Sequence, residues 1–117
     1  MYKEQMSKAL EEFKKQNEDL AELDEQLRTF QGKKDDIEIP IKVEIGQELD
    51  EKMKPKFGND FKREAELKSR LSDNTEHKAL CKNIADTLKD IEKAKRQIRY
   101  AEMGFSMYKA LCYAGKE

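Results

Sequence analysis

Asp73, His77 and Cys81 are spaced four residues apart, so on one continuous helix they would share a face. A carboxylate, an imidazole and a thiol on one face have the chemistry to bind a transition metal or to activate the thiol as a nucleophile. His77 is the single histidine, and no second histidine or cysteine lies nearby in sequence to complete a tetrahedral set. The plainer reading is a surface histidine beside a half-buried cysteine. On that reading no metal and no cofactor is expected.

A second constellation is basic. Lys89, Lys93, Arg96, Arg99 and Tyr100 form a stripe that ends in an aromatic ring. Such a stripe suits an anion: nucleotide phosphates, a nucleic-acid backbone, or an acidic protein surface. The alternative is a solvated face, or ion pairing with Glu11, Glu18 and Glu22. Residues 100–113 form a third group, in which Met103, Met107, Tyr108 and Leu111 make an adaptable surface for a partner, plain core, or a contact between copies.

General acid–base catalysis needs carboxylates held at unusual pKa values in a pocket. The 25 acidic residues sit in charged runs such as Glu11-Glu12 and Glu48, Asp50, Glu51. No glycine-rich phosphate loop, nucleophile elbow, zinc spacing or dinucleotide fingerprint occurs. The chain is therefore expected not to be an enzyme.

These residues must be positioned by helices. With 42% charged and 37% hydrophobic residues in 117, the chain suits one helical domain that shares buried surface with a partner. The formal net charge of −1 gives no bulk attraction to nucleic acid or membrane. Its distribution is uneven. Residues 1–31 carry five Lys/Arg against eight Asp/Glu, and residues 78–117 carry nine against five. Two distant cysteines, Cys81 and Cys112, with no secretory signal, point to reduced thiols in a cytoplasm. No apolar run is long enough for a membrane span.

Along residues 2–31, Tyr2, Met6, Ala9, Phe13, Gln16, Leu20, Leu23, Leu27 and Phe30 alternate by four and three, the seam of a coiled-coil-like helix. A parallel homodimer would bring Asp19 near Asp24 of its mate, so antiparallel packing on the basic last helix is preferred. Gly32 is expected to end this helix. Ile37, Ile39, Ile41, Val43 and Ile45 then alternate with polar residues or Pro40, which predicts a strand over residues 37–45. A lone strand is unstable, so it is expected to pair with its copy in a second protomer, or else to lie along the helices unpaired. Residues 47–54 allow a short helix, and residues 59–71 predict another, capped by Asn59 or Asp60. The last helix is expected over residues 76–114, with Ile84, Leu88, Ile91, Ala94, Ile98, Ala101, Phe105, Tyr108 and Cys112 as its stripe.

The helix–strand–helix plan resembles prefoldin chaperone subunits in outline, without the second strand their hairpin requires. Residues 101–111, Ala-Glu-Met-Gly-Phe-Ser-Met-Tyr-Lys-Ala-Leu, resemble with a gap the final helix of phage proteins that sequester cyclic oligonucleotide immune signals. That resemblance implies a binder of an anionic nucleotide.

The expected protein is mainly α, an antiparallel helical hairpin with a short middle helix and one isolated strand. Its expected function is that of a non-enzymatic accessory or inhibitor protein of phage or mobile-element type, acting through protein–protein contacts. It is expected to form a homodimer or higher oligomer through Ile41, Val43, Ile45, Met103, Phe105, Met107, Tyr108 and Leu111. The basic stripe is assigned to contacts with a protein target. The alternative is an anti-defence sponge that holds an anionic nucleotide between protomers; the net charge argues against nucleic acid.

Overall fold

The computed structural model describes residues 2–115. Three helices account for nearly all of them: α1 (Tyr2–Gln47), α2 (Asp60–Leu71) and α3 (Thr75–Gly115). No strand occurs among the described residues; the only β pairing there is an isolated bridge between Leu49 and Pro55. No helix among them is long and apolar enough to cross a membrane.

Residues 37–45 are helix, which overturns the predicted strand. The alternating series conceals a helical one. Ile37, Ile41 and Ile45 recur every four residues and turn toward one side. Ile45 is 2% exposed, whereas Ile39 and Val43, on the other side, are 54% and 50% exposed. Gly32 does not end α1, and Pro40 lies inside it. Proline has no N–H for the Asp36 carbonyl, and a proline inside a helix costs about 3 kcal/mol. Burial of Ile45 and a polar tie at Glu38, described below, offset that cost. Strand pairing between copies through Ile41, Val43 and Ile45 therefore has no basis, since Ile45 is covered by its own chain.

The chain divides into two compact units. One is continuous in sequence, Arg28–Ala85. It contains the second part of α1, all of α2 and the start of α3, with Ile45, Leu71 and Leu80 as its buried apolar residues. Asn59 caps α2: its side chain accepts from the Lys62 N–H at 2.8 Å. Asn74 caps α3 in the same way, accepting from the His77 N–H at 2.8 Å. Residues 48–59 form a loop, not the expected short helix. Asp50 Oδ1 accepts from the N–H groups of Lys52 and Lys54. Met53 takes the left-handed conformation there, with φ 62°.

The other unit joins the two ends, residues up to Leu27 and from Asp86 onward. Its buried residues are Thr87, Ile91, Ala94 and Ile98, all on α3. On α1, Tyr2, Met6, Ala9, Phe13, Gln16, Leu20, Leu23 and Leu27 are all half-buried, so the predicted seam is real but incompletely covered. Gln16 donates to Glu12 at 3.2 Å, and its Oε1 is enclosed without a partner among the described residues. The α3 stripe departs from expectation at one place. Thr87 is buried and Leu88 is exposed, because a four-three step from Leu80 passes through Ile84 and Thr87 to Ile91.

Candidate functional site

The polar cluster of the continuous unit is built by α1 and α3. The asparagine cap fixes where α3 begins, and that start sets His77 and Cys81 one turn apart on the same face. His77 Nε2 lies 2.8 Å from Oε1 of Glu38, a buried carboxylate. Lys34 Nζ lies 3.3 Å from the same oxygen, and Lys42 Nζ lies 3.8 Å from Oε2. Burial alone would raise the Glu38 pKa. Hydrogen bonds from His77 and Lys34 and the charges of Lys34 and Lys42 outweigh it and hold the carboxyl below its ordinary range.

Cys81 is the third member, with its sulfur 3.8 Å from His77 Nδ1 and 4.0 Å from Nε2. A sulfur almost equally far from both ring nitrogens is in line with neither, so the imidazole is not aimed at the thiol as a general base must be. The exposures are the reverse of the plain reading: His77 is half-buried and Cys81 is exposed. Asp73 stays in the exposed turn before α3. Two lysines within 4 Å of the Glu38 carboxylate oppose a divalent cation. No set of three His, Cys, Asp or Glu among the described residues is placed to hold a metal. The cluster borders a hollow of about 560 Å³ lined from α2 by Glu64, Leu67, Lys68 and Leu71. Its arrangement fits a polar tie between helices. Sequence reasoning missed Glu38 because it assigned that residue to a strand, and no local signal marks it as the partner of His77.

A second tie in the same unit centres on Arg70 of α2. Its guanidinium bonds Glu66 at 2.8 Å and Glu48 at 2.7 Å, and lies 3.9 Å from Glu44. The hydrogen bond to Glu66 foremost, and the one to Glu48, raise its pKa against a smaller burial penalty. The Phe57 ring packs 5.9 Å from it. These contacts pin the loop to the end of α1.

In the other unit, the basic stripe is exposed throughout. Lys89, Lys93, Arg96 and Arg99 have no ion pair within 4 Å among the described residues, so the pairing considered with Glu11, Glu18 and Glu22 is not made. Arg96 and Arg99 line a shallow hollow of about 280 Å³ with Glu92 and Lys95. Tyr100, Met103 and Met107 are 72%, 66% and 52% exposed, while Phe105, Tyr108 and Leu111 are half-buried. The proposed association residues thus fall on two sides of α3. Lys89, Lys93, Arg96, Tyr100, Met103, Met107 and Ala110 also fall on a single line, stepping by four and three along the face opposite the buried seam. The basic stripe and the apolar flank, read separately in the sequence, are one face that changes character at Tyr100.

No protein-family model matches the chain, and no curated protein or solved structure matches it.

Proposed function

We propose that this chain is a non-enzymatic, oligomeric helical binding protein that acts by protein–protein contact, in the manner of an accessory or inhibitor protein of a phage or mobile element. One observation carries the reading: the outer face of α3 is exposed from Lys89 to Ala110, basic and then apolar. The basic half, Lys89, Lys93, Arg96 and Arg99, suits carboxylates on a protein target. Within this reading α1 and α3 run antiparallel as a hairpin in the unit made from the chain ends. Opposite charge on the two helices supports that arrangement, as does a hollow lined by Leu10, Phe13, Glu102, Phe105 and Ser106. The reading includes a cytoplasmic setting, which suits two distant cysteines, Cys81 and Cys112, that form no disulfide with each other.

The second reading, a sponge for an anionic nucleotide, draws on the Arg96–Arg99 hollow. Capture of proteins from a lysate at low and high salt, with the wild type and with Lys93→Glu/Arg96→Glu, separates the two. The first reading expects a protein held by the wild type at low salt and released by high salt and by the charge reversal. It fails if no protein distinguishes the two chains. A melting temperature raised several degrees by cyclic dinucleotides would establish the second reading in its place.

A further inference from the structure

We propose that the hollow beside the Glu38–His77 tie is a binding site for a small monocarboxylate with a hydrocarbon body. The site belongs to the continuous unit and does not depend on the reading above. Each helix of that unit brings to it residues about one turn apart, which share a face. The α1 wall is Lys34, Glu38 and Lys42, and the first turns of α3 give His77 and Cys81. Glu64, Leu67, Lys68 and Leu71 form the α2 wall. The bond from Glu38 to His77 fixes α1 against α3, and so fixes two of the three walls. The volume, about 560 Å³, lies within the ~300–1,000 Å³ of small-molecule sites.

Charge sets the sign of the ligand. Lys34, Lys42 and Lys68 outnumber Glu38 and Glu64 by one, so a single positive charge is left over when His77 is neutral. Lys34 and Lys42 are engaged with Glu38 at 3.3 and 3.8 Å, but an ammonium group has three N–H donors and keeps others for a ligand. Lys68 is exposed and makes no ion pair within 4 Å among the described residues, so a carboxylate can take it outright. A dianion exceeds the charge left over and meets Glu64. The floor sets the body of the ligand. Leu71 is buried and Leu67 half-buried, one turn apart on α2. A hydrocarbon chain laid on them gains by leaving water. Lys68 shares that face, one turn before Leu71, so the head and body of one ligand reach both.

The test uses the full chain and octanoate. Calorimetric titration should show saturable binding at one site. Acetate, octanol and inorganic phosphate should each bind at least about tenfold more weakly, lacking the body, the charge, or both the body and the single charge. The two cysteines report the place. Cys81 is exposed on the wall of the hollow, and Cys112 belongs to the other unit. Saturating octanoate should slow alkylation of Cys81 by iodoacetamide severalfold and leave Cys112 unchanged. Lys68→Ala should weaken octanoate about tenfold and Glu64→Gln should tighten it, with helical circular dichroism unchanged in both. Equal binding of octanol overturns the anionic class, and equal binding of acetate or phosphate overturns the hydrocarbon body. Octanoate that leaves Cys81 unprotected, or binds Lys68→Ala undiminished, overturns the site. No binding of octanoate overturns the proposal whole. None of these outcomes bears on capture of a protein by the basic stripe of α3, which its own assay decides.

Discussion

Glu38 is a buried carboxylate reached by one imidazole and two ammonium groups. Its folded pKa lies below its unfolded one, so the ionised carboxylate adds stability above the unfolded value, near 4.5, and that gain is lost as pH falls through the folded value. Glu38→Gln should lower the unfolding free energy by about 1–2 kcal/mol at neutral pH, since bonds to a charged acceptor become bonds to an amide. In chemical denaturation the gap from wild type should narrow as pH falls below about 4.5. A gap constant across that range would show that Glu38 is not the titrating group. His77 and Cys81 were recognisable as neighbours from their spacing alone. Their partner was not, because the carboxylate comes from a distant part of the chain and local pattern holds no information about it.

The course of α1 decides how much of the fold the sequence could reveal. Residues 2–30 were legible as a helix because nothing local competed with the four-three pattern. Residues 37–45 satisfied two periods together, and Gly32 and Pro40 favoured the wrong one. What settles the matter is tertiary: Ile45 is covered by its own chain, and Glu38 is tied to α3. The two periods make opposite forecasts for substitution. On a strand face Ile39 and Ile45 would be equivalent. In the helix, Ile45→Ala should cost about 2–4 kcal/mol, as large-to-small changes in a core do. Ile39→Ala should change stability by less than about 0.5 kcal/mol. Equal losses measured by urea denaturation would restore the strand. The cap at Asn59 was readable to within one residue, since a cap depends only on a few adjacent residues. The left-handed turn at Met53 was not, as neither glycine nor asparagine marks it.

Taken entire, the chain has few buried apolar residues for its length and a large accessible surface. On the proposed oligomeric reading the chain draws stability from association, and its stability should depend on how much of it is present. The melting temperature should rise by several degrees across a hundredfold increase in protein concentration. A value independent of concentration would mark a self-sufficient monomer. An apolar flank after Tyr100 was legible in the sequence, and Tyr100, Met103 and Met107 are exposed there. The continuity of that flank with the basic stripe needed the register of α3, which shows where the buried seam runs and hence which side is left over.

The division of the chain also sets an order of events during its making. Arg28–Ala85 is continuous, so everything that unit needs has been synthesised before Asp86 is added. The other unit draws on both ends and cannot close until the final turns of α3 leave the ribosome. For most of translation the apolar seam of residues 2–27 has no mate. In this interval the nascent chain is most open to chaperones, to proteases and to the seams of neighbouring nascent copies.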